Sequence, residues 1–191
     1  LLLVNAVPGA HLAVTVAAAV VPWSGWAVRA AVALAALYLL PPLLARAVLR
    51  VRPLSGTELQ IPSREYFTWW LLANLQMLFC RLPFFEELLR LVPGAYSAWL
   101  RLWGARIGRL TYWGAGLRIL DRSFLDVGDN VVFGAGVRLN PHVVARGKDG
   151  ALELKLAAVR IGDRAVIGGY SLLTAGTRIA PDEATRAFLV S

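Results

Sequence analysis

His142 sits in the stretch LNPHVV (139–144), just ahead of a break in the sequence pattern, where a side chain able to move a proton would meet open space. A neutral imidazole has one acceptor nitrogen, so it can take the proton from a hydroxyl or amine as that group attacks an electrophile. Asn140, two residues earlier, shares one side of an extended strand with His142 by the period of two and can position substrate or equally cap a turn. Asp121 and Asp126 flank a local irregularity and are further candidates for substrate contact, with Arg122 beside them. His11 lies in a long apolar segment, where a polar side chain is a functional candidate by default. The single Cys80 excludes an intrachain disulfide and a CxxC site, and two histidines fall short of a three-histidine zinc centre, so no metal is expected. Cys80 itself reads as packing.

These candidates belong to a run of six-residue blocks. The first are IGRLTY, WGAGLR and ILDRSF (107–124), then VGDNVV, FGAGVR and LNPHVV (127–144). After an interruption come IGDRAV, IGGYSL, LTAGTR and IAPDEA (161–184). Each block opens on an apolar residue, and many place Gly second. Such a period predicts a coil in which each block forms one flat side and the opening residue points inward. Leu125 and Asp126 are then a two-residue slip between coils. Gly168, Gly169, Ser171 and Ala175 are small enough to let a thin substrate arm lie close, and small residues are equally what such a coil demands.

The stretch 99–189, with LRLWGARIG near its start and VRIGDRAVIGGYSLLTAG near its end, resembles the hexapeptide-repeat acyltransferases, in their membrane-anchored branch. The resemblance implies a left-handed parallel β-helix, assembly as a homotrimer, and a histidine base, here His142. It also implies acyl-CoA or acyl-carrier-protein as a co-substrate, with no permanently bound cofactor and with an acyl carrier protein as a partner. The donor's pantetheine arm would pass Gly168, Gly169, Ser171 and Ala175. A second resemblance concerns SREYFTWWLL (63–72) followed by the blocks, which looks like the membrane-spanning condensation modules of amino-acid homopolymer synthetases. Those join aminoacyl thioesters to amines. A non-enzymatic trimeric membrane scaffold is the third class, and it would leave His142 dispensable.

Composition points to membrane. The chain is 58% hydrophobic, with mean hydropathy +0.59, which is high for an ordinary soluble protein. Residues 1–21 carry no charge, and 30–45 form a second uncharged run that extends to Gly25 if Arg29 snorkels. About 20 apolar residues span a bilayer. PWSGW (22–26) supplies a turn with interfacial Trp residues, which predicts a helical hairpin, and Pro41 and Pro42 should end or kink its second arm. Arg46, Arg50 and Arg52 follow directly and place the remainder of the chain on the cytoplasmic side. A signal peptide fits less well, because the segment lacks a basic start and a cleavage site leading into a polar domain.

Between hairpin and blocks, 66–80 predicts a helix capped by Ser63, lying in the membrane interface or across the end of the blocks. A shorter helix follows over 84–91, and a turn at Pro93 and Gly94 leads into 96–103. The interruption 145–158 has a turn signal at 148–150 and alternating Leu152, Leu154 and Leu156, which predicts a flap carrying Glu153 and Lys155. The net charge of +8 comes mostly from scattered arginines with no nucleic-acid motif, so lipid headgroups or donor phosphates are the expected anionic partners. The expected organisation is thus 1–52 transmembrane helical hairpin, 53–103 interfacial helices and cap, and 104–191 catalytic repeat domain, mostly β.

Overall fold

The computed structural model describes residues 2–54, 58–147 and 150–191. Lys148 and Asp149, where the flap turn was anticipated, lie outside the described residues. The chain begins with α1 (Leu2–Asn5) and α2 (Val7–Val20), turns, and returns as α3 (Trp26–Tyr38) and α4 (Leu40–Val51). The stretches Leu3–Val20 and Trp26–Val51 have mean hydropathies of 1.7 and 1.9 and are each long and apolar enough to cross a membrane. Arg29 reaches back to donate to the Val20 carbonyl at 3.3 Å, which satisfies an end group of α2.

The deviation between α3 and α4 follows from Pro41 and Pro42. Neither has an N–H, so the carbonyls of Leu37 and Tyr38, four residues earlier, lose their helical partners. The indole of Trp99 fills one vacancy, donating to the Tyr38 carbonyl at 2.8 Å. A defect dictated by sequence thus becomes the joint that fixes this hairpin to the rest of the molecule. His11 makes a second joint inside the hairpin, its Nε2 lying 3.1 Å from the Ala36 carbonyl.

Next come β1 (Glu58–Gln60), α5 (Arg64–Arg81), α6 (Phe84–Arg90) and α7 (Ala95–Leu102). Ser63 caps α5 by accepting from the Tyr66 N–H at 3.0 Å. Thr68, Trp69, Leu72, Asn74, Leu75, Gln76, Leu78 and Phe79 are all buried. A helix buried this widely is packed between other elements of the protein, which favours the cap over a helix lying on a membrane surface.

The strands are short: β2 (Arg106–Ile107), β3 (Tyr112–Trp113), β4 (Arg118–Ile119), β5 (Leu125–Val127), β6 (Val132–Phe133) and β7 (Arg138–Asn140), then the hairpin β8 (His142–Arg146) and β9 (Leu152–Leu156). The last are β10 (Val159–Ile161), β11 (Val166–Ile167), β12 (Leu172–Thr174) and β13 (Arg178–Ile179). Three parallel sheets, ordered β13-β10-β5-β2, β11-β6-β3 and β12-β7-β4, are visited in turn, and β1-β9-β8 form an antiparallel sheet. Ile107, Val127, Ile161 and Ile179 are register neighbours and buried. Trp113 and Phe133 stack at 4.8 Å between ring centroids.

This arrangement corrects the expected fold class. The chain is mixed α/β, with seven α-helices among the described residues and short parallel sheets of three or four strands, and it is not a mostly β chain with a left-handed β-helix. A six-residue period decides only which side chains turn inward. What they pack against decides the architecture, and here Leu72, Phe79, Trp99 and Trp103 of the helical region share one core with Ile119, Val127 and Leu139. The slip also moves. Leu125 and Asp126 belong to β5, and the extra residues are taken up earlier, in a tight turn at Arg122–Phe124 entered through Asp121 at φ 51°.

Candidate active site

That left-handed turn is what makes a site. Asp121 is only 3% exposed, and its two carboxylate oxygens are both engaged. Oδ1 accepts from the Trp69 indole N–H at 2.8 Å, and Oδ2 meets Nδ1 of His142. The Trp69 and His142 rings also touch edge to face, with centroids 4.9 Å apart. Three elements therefore converge: α5 brings Trp69, the turn after β4 brings Asp121, and the first residue of β8 brings His142.

The chemistry follows from the bonding. A neutral imidazole donates from one nitrogen and accepts at the other. With Nδ1–H directed at Asp121, the lone pair falls on Nε2, which hydrogen-bonds to none of the described residues. The ring is 22% exposed, so Nε2 is reachable from solvent. A base oriented by a buried carboxylate, with its acceptor nitrogen free, is the arrangement that activates a hydroxyl or amine nucleophile.

β8 owes its position to its partners. In register, His142 faces Leu156 and Val144 faces Leu154, while Leu154 also faces Leu59 of β1. Leu59, Trp69, Leu154 and Leu156 form a second buried cluster beneath this sheet. Leu152 is exposed, so the alternation holds at two of its three positions. Lys155 pairs with Glu58 at 3.6 Å, and Glu153 faces Ala145 and Gln60 in register, so both serve the sheet and neither is bonded to His142.

Beside this pair lies a buried polar cluster. Arg122, 1% exposed, donates to Gln76 Oε1 through its backbone N–H at 3.1 Å and through Nη1 at 2.8 Å. It also pairs with Glu86, which accepts from Tyr96 and meets Arg90 at 3.3 Å. Burial opposes the Arg122 charge, but Glu86, with Cys80 and Tyr96, outweighs it and raises the pKa, so Arg122 is a permanent cation. Burial, and then the Glu86 charge, push the Tyr96 phenol well above its ordinary range. Asp121 and Arg122 thus point apart, one toward the imidazole and the other into the helices.

The remaining candidates divide. Asn140 does not share a strand with His142, because Pro141 interrupts it: Asn140 ends β7, while His142 opens β8 in a different sheet. Asn140 instead lines a cavity of about 170 Å³ with Arg122, Arg138 and Cys80. Asp126 is not brought to the site and pairs with Arg106 at 2.7 Å on an exposed sheet surface. Ser171 is fully buried, donating to the Gly168 carbonyl at 2.7 Å and accepting from the Leu189 N–H at 3.1 Å, so its hydroxyl organises a turn and offers nothing to a pantetheine arm. Gly168 and Gly169 pack under the 186–188 segment, where the Phe188 N–H donates to the Gly169 carbonyl at 2.9 Å. Ala175 is half-buried beside them in chain. No cluster of three or more metal-ligating side chains occurs among the described residues.

Trp69, Gln76, Glu86 and Tyr96 were missed by sequence reasoning. A signal existed: Trp69, Gln76 and Cys80 recur on one helical face, and an amide amid Leu and Phe has to find a buried partner. Comparison with family models, curated proteins and solved structures finds no match to this chain, so its function rests on the geometry of the site.

Proposed function

We propose that this protein is a membrane-bound acyltransferase, moving an acyl group from a CoA or carrier-protein thioester to a hydroxyl or amine of a lipid, glycan or membrane-associated metabolite. The observation that carries the reading is the Asp121–His142 pair with an open Nε2. Nε2 removes the acceptor's proton as its oxygen or nitrogen attacks the thioester carbonyl. The tetrahedral intermediate then expels the thiolate, which takes that proton back from His142, so the imidazole ends neutral. No covalent enzyme intermediate is needed, because a thioester is already activated.

The donor class is what the resemblance of the six-residue blocks to the hexapeptide-repeat acyltransferases implies, and the lipid-side acceptor is suggested by the two helices long and apolar enough to cross a membrane. In this reading the hairpin is multi-pass, the catalytic region is cytoplasmic behind Arg46, Arg50 and Arg52, and the chain works as a homotrimer that an acyl carrier protein or CoA supplies.

Thioester consumption by the detergent-solubilised chain, measured over CoA- and carrier-bound acyl and aminoacyl donors with membrane extract as acceptor, tests it. Turnover should fall at least about a thousandfold in His142→Ala. Full activity in that variant would sink the assigned base, and an aminoacyl preference would move the reaction to peptide-bond formation.

A further inference from the structure

Arg118 and Arg138 are register neighbours on β4 and β7, so their backbones are about 4.8 Å apart. Like charges placed opposite one another on adjacent strands repel. Both side chains are exposed, and neither makes a hydrogen bond or ion pair to any described residue. The next register position is Leu172, so the basic column stops at two residues. The cavity of about 170 Å³ lies between this column and the α5–α6 junction. Asn140 lines it, as does Arg122, whose buried Nε has no hydrogen-bond partner among the described residues.

The charge accounting decides what fits. Arg122 is matched by Glu86, leaving the two charges of Arg118 and Arg138 uncompensated at the mouth. Guanidinium forks match phosphate oxygens two at a time, and a phosphate monoester carries about −1.5 to −2 at neutral pH.

We propose that this cavity binds a phosphate ester through Arg118 and Arg138, with the Asn140 amide as an additional donor. Asn140 lies two chain positions from His142 and Arg122 adjoins Asp121, so the cavity borders the elements that carry the imidazole pair, and in the acyl-transfer reading a phosphate held here anchors the substrate. That anchoring role rests on the acyl-transfer reading, whereas the anion site stands without it. The phosphate belongs either to the thioester donor or to a lipid headgroup.

Isothermal titration of the detergent-solubilised full chain at low ionic strength, using inorganic phosphate, CoA, dephospho-CoA and dihexanoyl phosphatidic acid as probes, tests the proposal. At least one probe should bind, and Arg118→Gln or Arg138→Gln should each weaken it about tenfold, with the double variant losing it. CoA binding more tightly than dephospho-CoA assigns the site to the donor, and tighter phosphatidic acid assigns it to the lipid; either supports the proposal. Arg138→Lys should recover part of the affinity, which separates loss of the site from loss of the fold. Absence of binding by all four probes, or binding that survives the double substitution, overturns it. His142→Ala should bind phosphate like wild type while losing turnover; a wild-type chain that binds phosphate but turns over no donor defeats the acyl-transfer reading and leaves the anion site standing.

Discussion

Trp69 and His142 hold opposite oxygens of one carboxylate while their rings touch edge to face at 4.9 Å. The imidazole is therefore oriented from two sides, by a bond through Nδ1 and by contact with an indole that is itself fixed to the same Asp121. Rotation of the ring would break the bond and the packing together.

Asp121→Asn preserves shape but replaces an acceptor oxygen with an amide that can turn its N–H toward Nδ1, which would force the proton onto Nε2. Steady-state kinetics should show kcat reduced about a hundredfold or more with little change in KM. Trp69→Phe keeps an aromatic ring against His142 but removes the N–H donor together with one ring of the indole. It should lower kcat about tenfold and destabilise by about 1–3 kcal/mol, because a buried carboxylate oxygen loses its partner.

The Glu86–Arg122 pair gives a stability test. Glu86→Gln leaves a buried guanidinium without its counter-charge, at a cost of about 3–5 kcal/mol. Adding Arg122→Met removes that orphan and should restore much of the loss. Unfolding in detergent, followed by Trp fluorescence, measures both; a double variant no more stable than Glu86→Gln alone would show that the pair is not the source.

Tyr96 gives a pH dependence. Its folded pKa lies above the ordinary value of 10.0 because of burial and Glu86. The stability this contributes is complete below that value and is lost as pH rises through the folded one, since the unfolded phenol ionises first. The apparent Tm should fall above about pH 10, and Tyr96→Phe should lose that part of the fall. An identical alkaline profile in the variant would contradict the assignment.

Gly168→Ala separates packing from substrate binding. A Cβ there would lie 2.3 Å from the Arg186 carbonyl carbon and 2.4 Å from the Ala187 nitrogen, so backbone has to move. The variant should melt several degrees lower while KM for the donor stays unchanged in the folded fraction. A raised KM with an unchanged Tm would return Gly168 to the donor groove.

His142 was legible as a candidate because it lies in the last block before the pattern breaks, and the β8–β9 hairpin was legible from its alternating leucines. Asp121 was marked for substrate contact, and its place as the imidazole's carboxylate was hidden by a separation of 21 positions and by a left-handed turn that an Asp tolerates without announcing. Asn140 was misassigned because the period of two was carried across Pro141, which ends the strand. The fold class was misread because block spacing reports inward-facing residues and says nothing of the helices that cover them. β1 escaped notice altogether, since three residues that add to a distant hairpin carry no local periodicity.

Composition draws a boundary near residue 103, yet α5 and α6 send Trp69, Gln76 and Glu86 across it to Asp121 and Arg122. The repeat region consequently cannot be excised as a self-sufficient fragment. Cutting at the apparent border would strand one buried cation, free the carboxylate that orients the imidazole, and uncover Leu154 and Leu156, so a truncation meant to yield a water-soluble fragment would remove the supports of the candidate site along with the helices.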